Sequence, residues 1–401
     1  MSASRATWSR PDTAAIGLLA ATAAFAGAWA LLHTSFFPPA TADTNLYAHY
    51  GTAVRAGELP YRDFGVVYPP GALPVFVAPA FLGAGYLQAF GWLMAALGVA
   101  CVVLVVLGGA EWWGIAFVAV SPLLVGSLAW TRFDFWPATL TAAAVVALLC
   151  DRDRIAWALL GAAVAAKLYP AVLVPLAVAW TWRRRGPREL ARSAAIGAGV
   201  AAVAFVPFAV AAPHGLWRSL SNQLGRPLQI ESLAASALAV AGHPRVVTGH
   251  GSQNLAGHAG LAAASSAAAL ACLVALWVAF ARGPAGRDRL VRHAAACVCA
   301  FVAFGKVLSP QYLIWLVPLV PLVRGRRGLA ATAILAAALL ATQVWFPVHY
   351  WSYAASFRRA PLVLARNALL VALLLVLSCP TPRALRRSPS PVRPGPSASS
   401  A

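Results

Sequence analysis

Apolar stretches of about twenty residues recur from Thr13 to Leu377, interrupted by short arginine-bearing turns, and this repetition confines the chain to a bundle of helices in lipid. In hydrocarbon every backbone N–H and C=O must be satisfied within the protein, which leaves helices or a closed barrel, and these runs are too long for barrel strands. Composition agrees: 61% of the residues are hydrophobic and 10% charged, where a soluble domain needs about a quarter charged to solvate its surface. The formal net charge of +20 does not point to nucleic acid, because the arginines lie in short runs between apolar segments and no extended basic domain accompanies them.

Read by the positive-inside rule, the clusters Arg152/Arg154, Arg183 to Arg192, Arg282 to Arg292, Arg324 to Arg327 and Arg383 to Arg393 mark the cytoplasmic side. A first pass over Thr13 to Leu32 then opens into a long extracytoplasmic loop, 33–70. Gly71 to Gly83 is too short and proline-punctuated to span and is expected as an interfacial or re-entrant piece. Passes follow at 86–107, 112–129, 133–150, 191–212, 256–280, 329–346 and 361–377, with a second extracytoplasmic loop at 213–255. Ile155 to Trp182 and His293 to Val323 are bounded on both sides by arginine clusters, so each must hold an even number of passes. They reverse at Lys167-Leu-Tyr-Pro170 and Lys306-Val-Leu-Ser-Pro310, since proline ends or kinks a helix. The expectation is an all-α polytopic bundle of 11–13 transmembrane helices: one membrane domain, 1–380, a disordered cytoplasmic tail, 381–401, and both termini cytoplasmic in a plasma membrane.

The six cysteines lie in or beside apolar runs with no disulfide framework or zinc spacing, and the first run lacks a small-residue cleavage site and is kept as an uncleaved helix. The histidines show no metal-ligand spacing, and no metal or cofactor is expected. Of eleven acids, five fall outside: Asp43, Glu58, Asp63, Asp134 and Glu231. The chain has two lysines against 29 arginines, and both, Lys167 and Lys306, fall on extracytoplasmic apices against the positive-inside bias. Ionisable groups at the lip of a membrane protein are functional candidates by default, beside the plainer reading that each snorkels to the headgroups. With Arg132 and Arg226 they would edge a site suited to a phosphate-bearing ligand.

Several segments carry a resemblance: Asp43-Thr-Asn-Leu-Tyr47, Gly57-Glu-Leu-Pro-Tyr61 and Tyr68-Pro-Pro70, then Arg132-Phe-Asp134-Phe-Trp-Pro137, Lys167-Leu-Tyr-Pro170, Arg226-Pro-Leu-Gln229-Ile-Glu231-Ser232 and Lys306-Val-Leu-Ser-Pro-Gln311-Tyr312. In this order the chain resembles the polyprenol-phosphate-mannose-dependent mannosyltransferases of glycosyltransferase family 87, with their type C membrane fold. The last two helices match in hydropathy alone. The resemblance implies an inverting, α-1,2-type transfer of a mannosyl residue from a polyprenyl-phosphate sugar to a lipid-linked or glycan acceptor at the outer face of the membrane. Asp43 would be the general base, and Lys167, Lys306, Arg132 and Arg226 would hold the donor phosphate. Asp134, Glu231, Gln229, Gln311, Tyr312, Tyr47 and Tyr68 are candidates for sugar or acceptor contact.

Plainer readings stand beside these. Asp43-Thr44 would also serve as the N-cap of a helix over Asn45 to Ala56, Asp134 as the partner of a nearby cation, Glu231 as the holder of Arg226, and Tyr312 as an interfacial anchor. The Gly/His-rich stretch 242–257 reads as a mobile loop forming part of an acceptor groove. A transporter or flippase of a lipid-linked or anionic substrate is the rival class, but the polar residues gather at one face rather than the bilayer centre, and no internal repeat links the halves.

Overall fold

The computed structural model describes residues 11–34, 37, 39, 42–83 and 85–379, so the tail expected at 381–401 lies outside the described residues. The chain is a bundle of helices, and the one sheet among the described residues is a two-stranded antiparallel hairpin, β1 (Val246–Gly249) and β2 (Ser252–Leu255). It opens with α1 (Pro11–Leu31) and α2 (Ala42–Arg55), then enters the segment expected to be re-entrant. There, prolines break the path into a 3₁₀ turn at Pro70–Ala72, the short α3 (Leu73–Val77) and another 3₁₀ turn at Ala78–Phe81. Next come α4 (Tyr86–Leu107), α5 (Trp112–Val125), α6 (Leu128–Thr131), α7 (Phe135–Leu149), α8 (Asp153–Ala166), α9 (Val174–Arg185) and α10 (Pro187–Ala211). The remainder is α11 (Pro213–Leu224), α12 (Leu233–Ala241), α13 (Ala259–Arg282), α14 (Arg287–Phe304), α15 (Gly325–Gln343), α16 (Tyr350–Ser356) and α17 (Ala360–Ser378).

Among the described helices, α4, α10, α13 and α17 are by themselves long and apolar enough to cross a membrane. Among the other expected passes are shorter apolar helices, and some of the path runs through 3₁₀ turns. The second leg of the 293–323 hairpin, for instance, is 3₁₀ at Pro310–Leu316 and Val320–Leu322, because Pro310, Pro318 and Pro321 each remove a backbone donor. Proline also stands in the first turn of α10, α11 and α17, where its missing N–H costs nothing. Helix α10 leaves Val203, Val206 and Val210 exposed, a side suited to acyl chains rather than water.

Charge sorts the turns to two ends. At one, Asp151 accepts from Arg184 at 2.6 Å and from Arg287 at 3.0 Å, Arg154 pairs with Glu189 at 2.7 Å, and Glu111 accepts from the Gly325 amide at 3.0 Å. Arg292 donates to the carbonyls of Leu377 and Cys379, which brings the end of α17 to the same rim. The helices that leave this rim, α7 reversed, α8 and α14, deliver Asp134, Lys167 and Lys306 to the other end. The arginine clusters between Arg152 and Arg327 thus share one end of the bundle; Arg383 to Arg393 lie outside the described residues.

Two glycines shape that second end. Gly126 ends α5 at φ 67°, against the Gln343 side-chain amide, where a Cβ would collide, and the chain turns through α6 into an extended Arg132. A Cβ on Gly71 would lie 2.5 Å from the Ala165 carbonyl carbon, so this broken segment presses against the end of α8, two residues before Lys167. The Trp136 indole fixes the same contact by donating to the Gly71 carbonyl at 3.0 Å.

Candidate active site

Two ion pairs form the centre of the polar end. The Arg132 Nε lies 3.0 Å from Asp43 Oδ2, and the Lys167 Nζ lies 2.6 Å from Asp134 Oδ1. Their exposures differ in a way that assigns them different work. The Asp43 side chain is 34% exposed above an Arg132 side chain 7% exposed, whereas Asp134 is wholly buried. Of the two carboxylates, Asp43 is the one left open at this end.

The expectation of an N-cap at Asp43 is corrected: α2 begins at Ala42, and Asp43 lies inside its first turn, where an acid suits the helix dipole, with its carboxylate given to Arg132. Thr44 donates to the Thr131 carbonyl at 2.8 Å, tying α2 to the end of α6 that presents Arg132. Beneath, Tyr47 is fully buried and stacks on Phe76 at 4.4 Å, with its hydroxyl 3.3 Å from that of Tyr68. Its expected contact with sugar or acceptor is replaced by packing that holds α2 in place; Tyr68 remains partly open.

The motif Lys167-Leu-Tyr-Pro170 works through its tyrosine. Tyr169 stacks on Trp315 at 3.9 Å with rings 1° from parallel, Tyr312 covers the same indole at 4.2 Å, and the indole N–H donates to Asp134 Oδ1 at 2.6 Å. Asp134 is thus engaged by an ammonium and an indole, a buried partner of a cation and not a ligand contact. Lys167 sits among Phe133, Trp315, Tyr312 and Tyr68, with its Nζ between 4.5 and 5.9 Å from the ring centres.

The second loop supplies the third cation. Arg226 donates to Ser252 Oγ at 2.9 Å, and its Nε has no hydrogen-bond partner. Its charge bears on Tyr312, Lys167 and Glu231, so the loop motif reaches the same centre. Glu231 is 1% exposed in the turn between α11 and α12, accepts from the Gln229 amide, and keeps Oε1 without a partner. Burial pushes its carboxyl up to about 8, against the pull of Arg366, Arg226 and Arg132. The stretch 242–257, expected as a mobile loop, instead contains the β-hairpin, whose Ser252 anchors Arg226 and whose Gln253 carbonyl accepts from the Ile230 amide at 3.1 Å.

Lys306 does not join the centre. Its ammonium donates to the Leu224 carbonyl at 2.7 Å, neutralising the open end of α11, while its own carbonyl accepts from the Gln229 amide at 2.9 Å. Through these two bonds Lys306 braces the second loop. Gln311 is buried and its Oε1 accepts from Ser309 at 2.6 Å, and Gln229 is likewise buried, its amide donating to Glu231.

Three contributors escaped the sequence reading. Trp315 carried no motif signal. Arg366 and Asn367, both wholly buried, donate to the Glu231 carbonyl at 3.1 Å each. An arginine inside the apolar run 361–377 was the available signal.

Beside the centre, a cavity of about 740 Å³ opens between α1 and α4, lined by Trp29, His33, Tyr86, Gln88, Gly91 and Trp130 among others. Trp130 precedes Arg132 by two residues and stacks on His33 at 5.1 Å. Among the described residues no three His, Cys, Asp or Glu side chains group as a metal site.

The sequence profile of glycosyltransferase family 87 matches residues 66–310. No curated protein matches the chain. Among solved structures, the chain is similar to ArnT from Cupriavidus metallidurans bound to undecaprenyl phosphate, at a TM-score of 0.50 and 14% identity, covering 90% of this chain and 76% of that one. At that identity the likeness shows the fold, the type C membrane glycosyltransferase bundle.

Proposed function

The chain belongs to glycosyltransferase family 87, and on that premise we propose that it moves a hexosyl residue from a polyprenyl-phosphate sugar to a lipid-linked or glycan hydroxyl at the outer face of a plasma membrane. The sugar is mannose and the linkage α-1,2, following the family resemblance. The observation that carries this reading is the half-open Asp43 carboxylate poised on Arg132 beside two further cations, Lys167 and Arg226.

Asp43 takes the proton of the acceptor hydroxyl as that oxygen forms its bond to the anomeric carbon. The bond from that carbon to the phosphate oxygen breaks in the same displacement, which inverts the centre. The lipid phosphate leaves as an anion and needs no acid, so one carboxylate suffices where a glycosidase uses two. Arg132, Lys167 and Arg226 oppose the charge that grows on the phosphate. The groove between α1 and α4 suits the apolar chain of a lipid substrate, with His33 and Trp130 at the end nearest Arg132. ArnT was crystallised with undecaprenyl phosphate, a ligand of the class proposed here.

The test is transfer of labelled mannose from polyprenyl-phosphate mannose into the lipid fraction of membranes carrying the wild type or Asp43→Asn. Transfer by the wild type and its near-loss in a folded variant is the expected result. Equal transfer by both moves the base elsewhere, and no transfer by the wild type refutes the donor class.

A further inference from the structure

Helix α17 lies beyond residues 66–310, so family membership assigns nothing to it. It is apolar enough to span a membrane, yet it carries Arg366 and Asn367 side by side, both at 0% exposure. A buried charge in such a helix is costly and is retained for a reason other than stability, since an apolar residue of similar volume is often at least as stable there. The partners identify the reason. Arg366 Nη2 and Asn367 Nδ2 converge on the Glu231 carbonyl at 3.1 Å each, and Asn367 Nδ2 also reaches Ser236 Oγ at 2.9 Å. From α16, the Tyr353 hydroxyl donates to the neighbouring Ile230 carbonyl at 2.7 Å. Two successive carbonyls of the Gln229–Ser232 turn are thereby pinned by three side chains from the C-terminal part of the chain.

We infer that Arg366, with Asn367 and Tyr353, forms a clamp that sets the position of the 226–232 turn against the Asp43–Lys167 centre, making Arg366 a positioning residue for the transfer proposed above, on which this reading rests. The clamp touches the turn through its backbone, so it fixes where Arg226 and Glu231 stand without contacting the reacting atoms. Arg366 is held on its other side by the Trp345 ring, 5.7 Å from the guanidinium carbon. Its Nε and Nη1 have no partners, nor does Glu231 Oε1, so the fork is not consumed by other structure.

Two measurements on the full-length protein in detergent or nanodiscs test the clamp. Amide exchange over 228–236 should rise in Arg366→Met while exchange over α4 and α7 stays at the wild-type rate; unchanged exchange at 228–236 overturns the clamp, whatever the transfer activity. In the transfer assay, Arg366→Met should lower kcat by about 10- to 100-fold, as expected for a misplaced catalytic geometry, with little change in KM for the donor. Arg366→Lys should restore part of kcat, and Arg366→Met combined with Glu231→Gln should fall no further than the worse single variant. A wild-type kcat in Arg366→Met, or full additivity in the double variant, overturns the positioning role. Should Arg366→Met fail to fold, Tyr353→Phe removes one hydroxyl alone and carries the same readings, with raised exchange and a severalfold lower kcat expected and wild-type values overturning the inference. A wild type with no transfer would refute the proposed function, while the exchange measurement would still decide the clamp.

Discussion

Removing the Lys167 ammonium should destabilise the protein far more than its surface-like position at the break after α8 suggests. Asp134 is wholly buried, and two donors reach its Oδ1: Lys167 at 2.6 Å and the Trp315 indole at 2.6 Å, while Oδ2 has no partner. Lys167→Met leaves a buried carboxylate with a single neutral donor, a change that costs about 3–5 kcal/mol. At about 2–4 °C per kcal/mol this lowers the melting temperature by about 6–20 °C. Asp134→Asn in the same background removes the stranded charge and keeps an acceptor for the indole. The double variant should therefore recover to within about 1–2 kcal/mol of the wild type, about 1–4 kcal/mol better than Lys167→Met alone. The assay is the monodisperse fraction of purified protein after heating, for the wild type, both singles and the double. Wild-type stability in Lys167→Met, or a double variant as unstable as the sum of the singles, would refute the buried pair and leave Lys167 free for ligand alone.

Glu231 binds its proton more tightly when folded, with its carboxyl at about 8, than an unfolded glutamate at 4.5. Between those values the folded state holds the extra proton, so stability falls as pH rises through that window. Glu231→Gln should flatten that decline between pH 5 and 8, and an unchanged slope would contradict the burial argument. Gly91 lines the groove between α1 and α4, and a Cβ there meets nothing within 4 Å. Gly91→Leu should keep the fold and raise KM for a lipid substrate, and an unaltered KM would remove the groove from the binding path. For sidedness, Cys introduced at the exposed Asn45 should react with an impermeant thiol reagent in intact cells, while Cys150 and Cys379, exposed at the arginine-rich end, should react only after permeabilisation. The reverse pattern would invert the proposed orientation.

The membrane class, the sorting of arginine turns to one end and the pairing of apices were legible in the sequence because they depend on period and charge, which are local. Arg132, Asp134, Lys167 and Arg226 could be nominated for the same reason. Which carboxylate pairs with which cation was not legible: Asp134 is two residues from Arg132, yet the extended backbone at Arg132 sends its guanidinium to Asp43, and Asp134 faces Lys167 from the next hairpin. The demotion of Lys306 depends on where α11 ends, a distance of 82 residues in sequence. The Gly/His stretch was misjudged because a four-residue hairpin strand gives almost no periodic signal, and its order comes from Arg245, Leu228 and Ile230 pairing with it.

The shortness of α8 has a consequence for where the chemistry takes place. Its 14 residues advance about 21 Å from the arginine-rich rim, against a hydrocarbon slab about 30 Å thick. A helix of that length starting at one hydrocarbon edge leaves Lys167 and the carboxylate it holds about 9 Å short of the other. A lipid phosphate would reach Lys167 by sinking, with its chain still dissolved in the leaflet, rather than by being lifted into water. Bilayer thickness becomes a control on the depth of that descent, and the rate in reconstituted membranes should fall as the acyl chains are lengthened.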